Sequence, residues 1–411
     1  MAKDEAPMKL LSVRQNLVSN PLSDVAREVH LQLDRLGMEP PQGRVAIPVG
    51  SRGISQIPTI VRATGDWLRE HGAEPFMVPA MGSHNGATAE GQQQMIESLG
   101  MTEKAMQMPI LSSMECVKIA SVKTGDVWLD RHSYEADGIL VVNRVKLHTC
   151  FSGPVQSGLV KMMVVGMGKI QSAETFHSSP TPQMKDMLLE MGQVLVDSGK
   201  FWAGLAILED GFDQTAEIHA LPADKILERE PTLLNRCREY FPRIPIDELN
   251  VLIVNEIGKT FSGTGMDTNV IGYRGVKGYE DLDSPNIKII AAMSLATASK
   301  GNAIGVGLAD FITRRLRDAI DEHKTFINVY TTGDMERAKI PATLADDETV
   351  VERIRHRYGS QRWMFIQNTL NLDHLFVSED LRDESAACPQ CTIEGDDIEL
   401  SFKKGQYQLE F

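Results

Sequence analysis

From about Val45 onward the chain alternates short apolar runs with longer amphipathic stretches, and a glycine-containing loop comes after each run. Alternation of this kind builds a mostly parallel sheet covered by helices, because parallel strands need a crossover long enough to hold a helix. The runs at 45–49, 75–79 and 138–143 predict strands. In 57–71, 88–99, 158–168 and 184–198 apolar residues recur at three- and four-residue intervals, which predicts helices with one buried face.

Two further β-like runs, 205–208 and 216–221, precede a charged helical stretch at 224–240 that ends in Phe241-Pro242-Arg243-Ile244-Pro245. Paired prolines stop a helix and mark a boundary, so the expected domains are 1–245 and 246–411. The second opens with a strand at 250–254 and a glycine-rich loop at 258–275. A strand at 287–294, a glycine loop at 301–307 and a helix at 308–321 come next. The fold class expected is α/β in two domains, each a mostly parallel sheet covered by helices, with an active site in the cleft between them.

Composition narrows the function. A chain of 411 residues has the length of two ordinary domains, or of three. A net charge of −14 without any basic run repels a phosphate backbone, so no nucleic-acid partner is expected. No stretch approaches the roughly 20 apolar residues that span a bilayer, and the opening MAKDEAPMKLL has no signal-like core. A cytoplasmic protein without a membrane partner is the expectation. Five cysteines, an odd number spread over a long chain, point to reduced thiols. Cys388-Pro-Gln-Cys391 is a lone C-x-x-C that no second pair completes, and metal binding there stays open. Composition fits a monomer or an oligomer alike.

In open parallel sheets ligands bind beyond the carboxyl ends of the strands, where loops and helix N-termini offer free N–H groups. Gly50-Ser51-Arg52-Gly53 lies after the first strand and suits contact with a phosphate or carboxylate. Met81-Gly82-Ser83-His84-Asn85-Gly86 lies after the second, with glycines that let a ligand approach His84, a candidate general base. After the third, Asn143 to Pro154 brings His148, two cations and a hydroxyl into one loop. Lys161 sits among Leu159, Val160, Met162 and Met163, and an apolar setting makes a lysine amine a usable nucleophile. Sixteen residues on (161 to 177), His177 adds a third loop histidine.

Each of these has a plain alternative when taken singly: a surface arginine, a histidine bracing a helix, a snorkelling lysine. The histidines lie 64 and 29 residues apart (84 to 148, 148 to 177), a spacing that does not favour a zinc set. Gly263-Thr264-Gly265-Met266-Asp267-Thr268-Asn269 is either an anion cradle or a flexible hinge.

With these residues in place the chain resembles the nickel-dependent lactate racemase family, as a divergent member. Met81-Gly82-Ser83-His84 is similar to the family's Thr-Gly-x-His, and His148 precedes Phe151-Ser152-Gly153 as the family's second histidine precedes its Phe/Tyr-Ser-Gly turn. Lys161 and His177 keep the separation of the family's cofactor-tethering lysine and nickel-binding histidine. Val49 stands where the family has an acidic residue before Arg52, and Gly275 where it has a substrate lysine, with Arg274 or Lys277 as replacements.

The resemblance implies an isomerase, a racemase or epimerase of a 2-hydroxy acid or sugar acid. It implies a nickel-pincer nucleotide joined to Lys161, with Gly50, Ser51 and Arg52 near the cofactor and nickel held by His177. Its ring would exchange hydride with the substrate while His84 and His148 serve as acid and base. Arg52 would engage the substrate carboxylate, a C-terminal domain would close over the site, and cofactor-making enzymes would be partners. A zinc- or other metal-dependent hydrolase or lyase using the same histidines, and a non-catalytic protein binding an acidic metabolite, remain as rival readings.

Overall fold

The computed structural model describes residues 7–51 and 53–411. The chain divides into two compact units, Val18–Phe241 and a second built from Pro242–Phe411 together with the segment ending at Leu17.

The sheet of the first unit runs in the order Ala73–Pro79, Gly43–Val49, Gly138–Arg144, Phe201–Glu209, Thr215–Pro222. The first four strands are parallel and the last pair antiparallel. These strands are buried along nearly their whole length, the pattern of a sheet covered on both faces. Against one face, Val25–Asp34 and Ile57–Glu70 bury Val29, Leu33, Ile60, Val61, Trp67 and Leu68 over Val45, Ile47 and Leu140. On the other face a Cβ at Gly204 would touch Leu159 and Ile226, so helices Leu159–Lys161 and Ile226–Tyr240 meet that strand directly. The expected strand and helix positions at 45–99 and 184–240 are those observed, with ends shifted by a few residues.

Four expectations are corrected. His177, expected in a loop, lies inside helix Lys169–Ser178. The stretch 158–168 is not one α-helix: Leu159–Lys161 is α-helical and Met162–Gly166 is a π turn. In 308–321 a strand, Phe311–Thr313, precedes a short helix, Arg314–Asp318. Phe-Ile-Thr favours an extended backbone, and Thr313 caps the helix by accepting the Leu316 N–H. Finally, Lys9–Gln15, inside the expected domain 1–245, does not pair in the sheet of residues 18–241.

Lys9–Gln15 instead lies between His374–Ser378 and Cys391–Glu399, antiparallel to both, in the sheet of the second unit. That sheet runs Ala342–Leu344, Phe311–Thr313, Asn286–Leu295, Glu248–Ile257, Trp363–Ile366, His374–Ser378, Lys9–Gln15, Cys391–Glu399. It is parallel through Trp363–Ile366 and antiparallel beyond, so it is mixed. Among the described residues no helix is long and apolar enough to cross a membrane.

Candidate functional site

Three loops leave the carboxyl ends of adjacent parallel strands in the first unit. The first, after Val49, carries Gly50 and Ser51; Arg52 lies outside the described residues. Its far end is anchored by Glu209, which accepts the Ser55 N–H at 2.7 Å and pairs with Arg144. The second loop carries exposed His84, whose Nδ1 lies 2.5 Å from Ser51 Oγ. Thr88 then caps helix Ala89–Ser98 through the Gly91 N–H. Glycine is required at Gly82, where φ is +60° and the N–H donates to Gly166 O at 3.2 Å.

The third loop closes on itself. Lys146 and Ser157 exchange backbone hydrogen bonds of 2.7 and 3.2 Å, and Asn143 Nδ2 donates to Gly158 O at 2.7 Å. Inside it, buried Gln156 accepts the His148 N–H at 2.7 Å. His148 Nδ1 accepts the Cys150 N–H at 3.1 Å, so in the neutral ring the proton sits on Nε2.

Aromatic rings link this loop to the helices beyond it. The His148 ring lies 4.4 Å from that of Phe151, which meets Phe176 edge-on at 6.3 Å. Phe176 carries the Lys161 ammonium over its face at 5.7 Å and the His177 ring at 5.4 Å. Burial, with help from the Lys161 charge, holds His177 down to about 4, so it is a neutral imidazole near pH 7. The structure therefore brings His148, Lys161 and His177 around two phenyl rings, and pairs His84 with Ser51.

The His84 loop and the Lys161–His177 segment also touch through their backbones. A Cβ at Gly166 would come within 2.7 Å of Ala80 O, one at Gly82 within 3.1 Å of the Ala173 Cβ, and one at Gly50 within 3.2 Å of Met162 Cε. The approach at Gly166 demands glycine, and the other two leave room for a side chain only if a neighbour gives way.

Sequence reasoning missed three supporting residues. Glu230, from helix Ile226–Tyr240, is fully buried and accepts the Val160 N–H at 3.0 Å, just before Lys161. Burial pushes its carboxyl up to about 7, against the pull of the Val160 and Leu159 N–H groups. Lys169 and Asp130, both wholly buried, form an ion pair at 3.4 Å. Nothing in a linear pattern reveals that a helix glutamate or a lysine after Gly168 lies inside.

The remaining candidates lie in the second unit. Arg274 is buried with its guanidinium 5.3 Å from the Tyr279 ring centre, and its carbonyl accepts from Arg337; Lys277 is exposed. The 263–269 segment is built rather than loose: Asp267 caps helix Thr268–Ile271 and accepts the Asn269 N–H at 2.9 Å. Cys388 and Cys391 flank a tight turn closed by a 3.0 Å backbone bond. Among the described residues no three His, Cys, Asp or Glu side chains form a metal-ligand group.

No family model matches the chain, and no curated protein matches it by sequence. Among solved structures it is similar to the lactate racemase apoprotein from Thermoanaerobacterium thermosaccharolyticum, with a TM-score of 0.53 and 13% identity. The match covers 87% of this chain and 93% of that one. At that identity what is shared is the architecture: the chain has a lactate racemase-like α/β fold.

Proposed function

We propose that the protein is an isomerase, a racemase or epimerase of a 2-hydroxy acid or sugar acid, that works with a nickel-pincer nucleotide joined to Lys161. The observation that carries this reading is the placement of the Lys161 amine and the His177 imidazole about one phenyl ring.

The donor set fits such a group. A metal ligand must be deprotonated, and His177 is already neutral near pH 7. A pincer that brings most of its own metal ligands asks for one from the protein, and the His177 imidazole is the group proposed to supply it. When bound, the group supplies a hydride acceptor and donor.

The side chains of the chain supply the proton chemistry. Ser51 Oγ can accept from His84 Nδ1 as well as donate to it. When His84 Nδ1 carries the ring proton and hydrogen-bonds to Ser51 Oγ, Nε2 is the basic nitrogen of the ring and the atom proposed to take a hydroxyl proton. His148, with Nδ1 accepting from the Cys150 N–H, carries its neutral-ring proton on Nε2, the atom proposed to donate. Inversion at carbon needs one such group on each face of a planar keto acid, and two imidazoles in complementary tautomers meet that need. Arg52 is the cation proposed to hold the substrate carboxylate, by paired hydrogen bonds, and Arg274 or Lys277 is proposed as the replacement for the family's substrate lysine.

Co-expression with the cofactor-making enzymes, a nickel assay and a chiral screen of 2-hydroxy acids test the reading. Nickel in the purified protein and inversion of at least one acid support it. Metal-free protein that inverts none of the acids overturns it. His84→Ala is expected to lose turnover by about 10²-fold or more with its fold retained, as for other acid–base groups; a binding protein would instead keep its ligand affinity.

A further inference from the structure

We propose that Lys169 and Asp130 form a buried clasp that holds the His84 loop against the helix carrying His177; both act as positioning residues. The proposal rests on the reading that these histidines serve one site.

Lys169 opens helix Lys169–Ser178 with φ +52°, a left-handed conformation that a side-chain-bearing residue adopts at a cost. It comes shortly after the π turn and directly after Gly168, where a Cβ would collide with Ser172 and approach Trp128 O. Such a backbone turns the lysine inward, where it is 0% exposed. A charged lysine there is retained only if paired. Nζ donates to Pro79 O, the last residue of the strand that leads to His84, and lies 3.4 Å from Asp130 Oδ2.

Asp130 is held as firmly. Its Oδ1 accepts both the N–H and the hydroxyl of Ser133, at 2.8 and 3.0 Å, and its own N–H donates to Met167 O at 2.8 Å. One lysine thus joins the end of strand Ala73–Pro79, the end of strand Gly125–Asp130 and the start of the His177 helix. The Gly82 to Gly166 hydrogen bond repeats the connection one step closer to His84. A hydrophobic side chain would fill this space more cheaply than an ion pair. What the pair adds is a directed bond to one particular carbonyl.

Backbone hydrogen exchange on the full chain tests this without cofactor or substrate. In the wild type the amides of Ala80 and Gly82 should open together with those of 172–177; independent opening overturns the clasp. Lys169→Met alone leaves a buried carboxylate unpaired and should lower the urea midpoint, whereas Lys169→Met with Asp130→Asn should recover it. In that double variant Ala80, Gly82 and His84 amides should exchange about tenfold or more faster, the loss of a charge-assisted hydrogen bond. Reaction of His84 with diethyl pyrocarbonate should accelerate alongside, with helix Ile57–Glu70 unchanged. Wild-type protection at 80–84, or an equal rise in helix Ile57–Glu70, overturns the proposal. Asp130→Asn alone, which removes the carboxylate that holds the Lys169 ammonium, should speed exchange at Ala80, Gly82 and His84 by less than the double variant does, and wild-type protection of the loop in it counts against the clasp. A missing adduct at Lys161 would sink the functional reading and leave these outcomes unchanged.

Discussion

Glu230 shows how a single buried carboxyl ties stability to pH. Its pKa is raised from 4.5 to about 7 in the fold, so the neutral form is favoured. Its contribution is therefore fully present below 4.5 and is lost as pH rises through about 7. Glu230→Gln keeps an acceptor for the Val160 N–H and removes the titration. Denaturant unfolding at a series of pH values should show the wild type losing stability relative to this variant, by roughly 2–3 kcal/mol across that window. Parallel curves would contradict the assignment. At this scale the sequence was legible where chemistry clusters: His148, Lys161 and His177 gather about Phe151 and Phe176, while His84 meets Ser51. It was silent on Glu230, Lys169 and Asp130, because burial of a charge depends on what packs around it and not on its neighbours in the chain.

Among the elements, the π turn Met162–Gly166 carries the most consequence. It sets helix Lys169–Ser178 so that Gly166 touches the backbone of Ala80. Gly166→Ala should push the His84 loop outward at a cost of about 1–3 kcal/mol, the usual penalty of overpacking. A lowered urea midpoint together with faster exchange at Gly82 would confirm this, and a variant as stable as wild type would refute it. The apolar periodicity at 158–168 predicts a continuous helix because a π turn keeps the same residues buried; the extra residue per turn leaves no mark on the pattern. Strands at 45–49 and 75–79 were readable for the opposite reason, since a fully covered parallel strand is an unbroken apolar run. Phe311–Thr313 was hidden by its length of 3 residues.

At the scale of the whole molecule, Lys9–Gln15 is an interior strand of the second sheet although it lies near the start of the chain. A linear reading groups it with the residues next to it in sequence, since nothing in Lys-Leu-Leu-Ser-Val-Arg-Gln names a partner as distant as His374–Ser378. Deleting residues 1–15 should leave Cys391–Glu399 unpaired and expose 242–411 to limited proteolysis, with 18–241 persisting as the resistant core. Equal resistance of both halves would contradict the topology. The central claim, that Lys161 and His177 hold a nickel-bearing cofactor, meets its most direct test in peptide mass mapping with nickel analysis, after co-expression with the cofactor-making enzymes. The account predicts an added mass on the peptide containing Lys161, its disappearance in Lys161→Ala, and nickel lost in His177→Ala while the added mass remains. An unmodified Lys161 peptide from nickel-loaded wild-type protein would contradict it.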